Sequence, residues 1–272
     1  MRPASRDPSS EAGFRALAEL LQILRDYREG VVLVGGWVPE LAFPEAETPP
    51  VATIDIDLAL DANALRKIRT KTLGQLLEEQ GYRQGSRDPF RFEKDFQVQG
   101  RRVSVKVDLL TSPATEGAME AELRPIQDVQ ANAMPGFEMA FRSFKEVPLS
   151  QVHDGASPGD TFRVVSPAAF LVLKGLALKT RNKNKDLCDI HYCLEHYPGG
   201  IETAAGDLRP MLQQAVVVEA LQQIDRAFGS AMTGGPLMVA REEGWTDPDQ
   251  RWIRQRVIHQ RVRTFLEAVR SR

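Results

Sequence analysis

The chain has 272 residues, of which 42% are apolar and 26% charged, and its formal net charge is −2. That length suits one large or two modest globular cores. No stretch reaches the roughly 18 to 20 apolar residues of a membrane span, and a net charge near zero does not by itself mark a nucleic-acid binder.

The first ten residues are polar, carry no apolar signal core and are expected to be disordered, so a cytoplasmic address is expected. Phe14, Leu17, Leu20, Leu21, Leu24 and Tyr27 then recur at helical spacing up to Gly30, which predicts an amphipathic helix. Val31-Val32-Leu33-Val34 reads as a short buried strand, and Gly35-Gly36 turns it into a helix over 37–43 that tolerates Pro39 in its first turn. Residues 53–60 alternate strictly. Ile54, Ile56, Leu58 and Leu60 lie on one face, with Asp55 and Asp57 on the other.

A helix is predicted from about Ala64 to Gln80, closed by Gly81, followed by strands near 90–98 and 102–110. In the second of these, Val103, Val105, Val107 and Leu109 face inward, and Arg102, Ser104, Lys106 and Asp108 share the polar face. Residues 113–159 read as short strands between turns at Pro135-Gly136 and Pro158-Gly159. Ser166-Pro167 is a helix start, serine as cap and proline in the first helical position. Everything beyond it reads as helical. A boundary near 165 therefore separates a mixed α/β domain, 1–165, from an all-helical domain, 166–272. The tail from Arg251 to Arg272 holds seven arginines against the single acid Glu267 and reads as a solvated helix, with Trp252, Ile253, Val257, Val262, Phe265 and Leu266 on its buried side.

Side chains two apart on a strand point the same way, so Asp55 and Asp57 can present adjacent carboxylates. Two such charges stay ionised most easily around a cation, and hard oxygen ligands suit Mg²⁺ or Mn²⁺ better than zinc. Should the strand bearing Asp108 lie beside them, the set can hold two ions, the arrangement that drives in-line displacement at phosphorus. The Gly35-Gly36 turn lets backbone amides approach phosphate oxygens. Glycine pair, Asp-x-Asp and a later strand aspartate, in that order, point to phosphoryl or nucleotidyl transfer.

These residues, with Thr53-Ile54-Asp55-Ile56-Asp57 and Val105-Lys106-Val107-Asp108, resemble the signature of the DNA polymerase β nucleotidyltransferase superfamily. Lys174-Gly175-Leu176-Ala177 and Asp186-Leu187-Cys188-Asp189 are similar to the Lys-x-x-Ala and Asp-x-x-Asp motifs of the AbiEii nucleotidyltransferases of abortive-infection and type IV toxin–antitoxin systems. The resemblance spans about residues 30 to 195. It implies an α+β fold, a polymerase-β-like mixed sheet with flanking helices and a helical C-terminal domain. It also implies that Asp55, Asp57 and Asp108 bind two Mg²⁺ or Mn²⁺ ions and that Asp108 assists deprotonation of the acceptor. Lys174 would contact the nucleoside triphosphate and Asp186 would be needed for activity. The acceptor it implies is RNA, a tRNA 3′ end, in a toxin restrained by a separately encoded antitoxin.

Read from the residues alone, Lys174 sits in an apolar helix where an unpaired ammonium is costly, so an ion pair with Asp186 or Asp189 competes with a triphosphate contact. Arg181, Lys183 and Lys185 fit either phosphate binding or solvation. His191 and His196 are candidate general bases, but packed or surface histidines fit as well, and Trp37 fits the core better than a base stack. Cys188 and Cys193 read as structural. Other acceptors stay open, a protein side chain or an aminoglycoside, as does a non-catalytic nucleotide-binding regulator.

Overall fold

A computed structural model describes residues 7–68, 71–115, 122–181 and 183–271. The chain divides into two compact units, Met1–Leu41 with Ala52–Val165, and Ala42–Val51 with Ser166–Arg272.

The first unit runs α1 (Pro8–Ile23), β1 (Val31–Val34), α2 (Val38–Ala42), β2 (Ile56–Leu60), α3 (Ala62–Leu65), α4 (Leu73–Glu79), β3 (Arg83–Gln84), β4 (Arg91–Val98), β5 (Arg101–Thr111), β6 (Glu122–Ile126), β7 (Val129–Ala133), α5 (Glu138–Arg142), β8 (Phe144–Pro148) and β9 (Thr161–Val165). Its strands form one mixed sheet in the order β3-β4-β5-β2-β1-β9-β8, with β7 pairing β5 and β6. β2 is antiparallel to β1 and parallel to β5, so the three chemistry-bearing strands are direct neighbours. Val31, Leu33, Ile56, Leu58, Leu60, Val105, Val107 and Leu109 are buried and make the apolar side of this central sheet, while Val32 and Val34, also buried, share the face of Asp57.

Several boundaries differ from expectation for local reasons. Asp7 accepts hydrogen bonds from the Ser9 and Ser10 amides and Pro8 opens the helix, so residues 8–10 are its first turn rather than disordered. Residues 1–6 lie outside the described part. The helix expected over 64–80 is two, because Thr72 and Gln75 form a capping box that starts α4 afresh. The amides of Leu73 and Gly74 are held by Gln127 and Asp128 of the β6–β7 turn. The strand carrying the Asp-x-Asp pair begins only at Ile56, which leaves Asp55 just ahead of it.

The second unit comprises α6 (Pro167–Thr180), α7 (Asn184–Glu195), α8 (Gly200–Leu208), α9 (Ala215–Phe228), α10 (Gly234–Glu242) and α11 (Pro248–Arg270), together with the 42–51 segment. Ser166 caps α6 by accepting from the Ala169 amide, with Pro167 at its start. α6 and α9 approach closely at Gly175, where a Cβ would lie 2.7 Å from the Ala220 carbonyl oxygen. In α11 the buried stripe is Gln255, Ile258, Val262, Phe265, Leu266 and Val269, an i, i+3, i+4 row. Trp252, Ile253 and Val257, expected on that stripe, are instead 44%, 61% and 42% exposed because they fall outside it. No helix among the described residues is long and apolar enough to cross a membrane.

Candidate active site

The sheet register places the carboxylates. Val34 pairs with Asp57, Asp57 with Asp108, and Asp108 with Arg91, one row across β1, β2, β5 and β4. Paired residues on neighbouring strands project from the same face, so Asp57 and Asp108 stand side by side on the polar side of the sheet. Both are half-buried, in contrast to the buried apolar residues that alternate with them.

Gly35 makes room for this row. Its φ of +73° favours glycine, and a Cβ there would fall 1.8 Å from Asp57 Oδ2. The backbone at the end of β1 thus lies directly against the Asp57 carboxylate. Gly36 follows in the 3₁₀ turn Gly35–Trp37, which runs into α2, a helix of five residues with little dipole of its own. Trp37 is buried with its ring 6.2 Å from that of Phe14, a core role.

Asp108 is not left to itself. Arg91 Nε donates to Asp108 Oδ1 at 2.7 Å and Nη2 to Oδ2 at 2.9 Å, a two-pronged ion pair, while Nη1 donates to Asp88 Oδ2 at 2.7 Å. The Asp108 hydrogen bond chiefly holds the Arg91 guanidinium above its ordinary pKa, with Asp88 and Asp55 adding to this. Sequence reasoning passed over Arg91. Its signal was the two-residue Gln99-Gly100 turn, both residues at positive φ (50° and 74°), which fixes the β4–β5 register and with it Arg91 opposite Asp108.

The donor chemistry fits an oxygen-preferring divalent cation: two carboxylates in adjacent register, a third at Asp55, and no nitrogen or sulfur donor in the row. The three are not gathered into one tight group, however. Asp55 is exposed ahead of β2, and Asp108 is turned onto Arg91.

In the second unit the motif residues form a buried ion cluster. Lys174 is 5% exposed, with Nζ 2.8 Å from Asp186 Oδ1 and 2.6 Å from Asp189 Oδ2. Arg181 takes both oxygens of Asp186, at 2.8 and 2.9 Å, and Lys185 reaches Asp189 Oδ1 at 3.1 Å and the Val51 carbonyl at 2.8 Å. Burial alone pulls the Lys174 pKa down, but Asp189 and Asp186 reverse this, so it ends above the ordinary lysine value. Burial likewise pushes Asp186 up, and Lys174 and Arg181 bring it below the ordinary carboxylate value. The Lys174 ammonium expected at the triphosphate is paired within its own unit, and Asp186, 1% exposed, is held between Lys174 and Arg181. Lys183 precedes α7 and is exposed, as is Arg181, whereas Lys185 is partly buried.

Among the described residues, one group of histidine and acids is close enough to share a metal ion, His191, Glu195 and Glu243. Its geometry argues against one. Arg261 Nη1 lies 2.8 Å from His191 Nε2 and can only donate, so Nε2 accepts and the ring proton sits on Nδ1, which faces Glu195 and Glu243 at 3.8 and 3.6 Å. Arg254 and Arg261 balance the two carboxylates. Burial drives the His191 pKa down to about 3. His196 packs against Tyr192 with ring centroids 4.4 Å apart and the planes tilted by 51°, and lies 3.3 Å from Thr48 Oγ1. Neither histidine is placed as a general base. Cys188 and Cys193 are buried free thiols.

A family model described as "Nucleotidyl transferase AbiEii toxin, Type IV TA system" matches residues 19–247. Among solved structures, the chain is similar to the nucleotidyltransferase toxin MenT4 from Mycobacterium tuberculosis H37Rv, with 16% identity over 98% of this chain and 96% of that one and a TM-score of 0.42. No curated protein matches the chain.

Proposed function

This chain belongs to the AbiEii family of nucleotidyltransferase toxins of type IV toxin–antitoxin systems, and on that premise we propose that it moves a nucleoside monophosphate from a nucleoside triphosphate to an RNA hydroxyl, a tRNA 3′ end, with release of pyrophosphate. The observation that carries the chemistry is the Asp57–Asp108 register on parallel neighbours, with the Gly35 backbone laid against Asp57.

Asp55, Asp57 and Asp108 would hold two Mg²⁺ or Mn²⁺ ions, which when bound would supply positive charge to the triphosphate and to the attacking oxygen. The Gly35 turn limits where the Asp57 carboxylate can go. Asp108 takes the proton of the attacking hydroxyl. The new bond forms between that oxygen and the α-phosphorus, the bond from the α-phosphorus to the bridging oxygen breaks, and the electron pair leaves with pyrophosphate. The amides of Gly35 and Gly36 are offered to phosphate oxygens in the sheet unit, and Arg181, Lys183 and Lys185 carry positive charge for phosphate in the helical unit. Lys174 and Asp186 act as positioning residues: together with Asp189 they fix α6 against α7 and present Arg181 and Lys185.

An RNA acceptor is supported by α11. Trp252, Arg256, Gln260 and Thr264 recur at four-residue spacing on its exposed face, beside Ile253 and Val257, and line a cavity with Ile201, Ala231, His259 and Arg261. No acid lines this cavity, and Arg256 has no ion-pair partner among the described residues. A cationic groove with an accessible indole suits an unstacked base and its phosphate. The toxin acts in the cytoplasm, where tRNA and triphosphates are found, and a separately encoded antitoxin restrains it.

The test is incubation with each triphosphate labelled at the α-phosphate, with Mg²⁺ and tRNA. RNase-sensitive label in the product is the expected result, absent when the γ-phosphate carries the label. Protease-sensitive label would replace RNA by a protein acceptor.

A further inference from the structure

The residue that neutralises Asp108 comes from the neighbouring strand and is held there by more than a side-chain contact. Arg91 opens β4, where its amide donates to the Asp88 carbonyl at 2.9 Å and its carbonyl accepts from the Gly85 amide at 2.7 Å. The Leu109 amide in turn donates to the Phe90 carbonyl at 2.8 Å, tying the same corner to β5 beside Asp108. The backbone is thus fixed while the guanidinium spans two carboxylates, Asp108 with two prongs and Asp88 with one. The Asp108 side chain is 18% exposed, that of Arg91 25% and that of Asp88 44%. Phe90 lies under the guanidinium, 5.7 Å from its carbon to the ring centroid.

A guanidinium and a divalent cation compete for the same carboxylate oxygens, because each stabilises the anion through those lone pairs. With both prongs of Arg91 in place, Asp108 offers a metal its weakest arrangement, and the three aspartates do not close into one group. Arg91 has somewhere else to go. Its Nη1 is already on Asp88, so the side chain can release Asp108 and keep a charge partner without leaving the corner.

We propose that Arg91 is a competitor for the metal-binding carboxylate, and that Asp88 is the berth that receives its guanidinium when Asp108 takes a divalent cation. Arg91 thereby sets the metal concentration at which the Asp57–Asp108 pair is occupied. In the metal-free protein its two prongs orient Asp108 and offset the repulsion that a bare pair of adjacent carboxylates would have. This rests on the metal-dependent reading of the aspartates.

The opposite signs expected for the two residues make the proposal testable without turnover. Mn²⁺ alone is titrated into the full chain and free ion is followed by electron paramagnetic resonance, with Asp57→Ala marking the fraction bound at this site and circular dichroism confirming each fold. Arg91→Gln is expected to tighten Asp57-dependent Mn²⁺ binding about tenfold, and Arg91→Lys, which keeps charge but loses the two-pronged grip, by less. Asp88→Asn is expected to weaken binding several-fold, since Arg91 is then confined to Asp108. In the Arg91→Gln background Asp88→Asn should change nothing. An Asp88 effect that persists there would make Asp88 a ligand rather than a berth and overturn the proposal, as would unchanged or weaker binding in Arg91→Gln. Absence of any Asp57-dependent Mn²⁺ binding in every variant would overturn the metal reading itself, whereas Asp57-dependent binding indifferent to Arg91 overturns only this inference.

Discussion

Lys174→Met separates a structural ammonium from a triphosphate contact. The side chain is 6% exposed and bridges two carboxylates that are themselves 2% and 1% exposed. Removing one partner of a buried pair costs roughly 3–5 kcal/mol, because the other charge is left uncompensated. Here neither acid is left alone. Asp186 keeps both prongs of Arg181, and Asp189 keeps Lys185. Arg181 is 46% exposed, so its share is screened by water. The expected loss is therefore at the low end, about 3 kcal/mol. Urea unfolding in the absence of nucleotide and metal measures it, and methionine keeps the volume so that a cavity does not confuse the result. A loss below about 0.5 kcal/mol, the level of an ordinary surface substitution, would refute the structural role and return Lys174 to the triphosphate.

Gly35→Ala forces a Cβ to within 1.8 Å of Asp57 Oδ2 at a φ of +73°, so the Asp57 carboxylate must move; turnover is expected to fall about 100-fold in steady-state kinetics, in line with an ångström-scale misplacement. His191 is buried neutral with its pKa lowered to about 3, so the unfolded chain binds its proton first as pH falls. His191 thus contributes stability that is intact above about pH 6.5 and lost at roughly 1.4 kcal/mol per pH unit below it. Thermal unfolding of His191→Gln should show a shallower acid slope than the parent between pH 6.5 and 4. Trp252→Ala with Arg256→Ala removes the indole and guanidinium of the exposed α11 face, and fluorescence anisotropy is expected to show tRNA binding weakened about tenfold, with a smaller salt dependence.

Much of the sheet unit was legible because its signals are local. The β-branched run of β1 and the alternation around Asp57 and Asp108 each name a strand and its faces, and Ser166-Pro167 marks the start of α6. The extra helix start at Thr72 was also local, a capping box read over in favour of a continuous apolar pattern. Other features depend on pairing and burial. Asp108 is read correctly as a polar-face residue, yet its partner Arg91 follows only once the Gln99-Gly100 hairpin fixes the register. An unpaired Lys174 in an apolar helix is too costly, but periodicity does not say that Asp186 and Asp189 both turn toward it. On α11 the sequence offers two apolar rows, and packing chose the one through Ile258, Val262 and Phe265. That left Trp252, Ile253 and Val257 on the outside.

In the proposed reaction Asp57 and Asp108 together perform nucleotidyl transfer. Pyrophosphate release from labelled triphosphate, with tRNA and Mg²⁺ present, tests it most directly in Asp57→Asn and Asp108→Asn. Both substitutions keep side-chain size and remove one negative charge. Each is expected to abolish release while the unfolding midpoint stays within the range of a surface substitution. Undiminished release from either folded variant would contradict the assignment of the site.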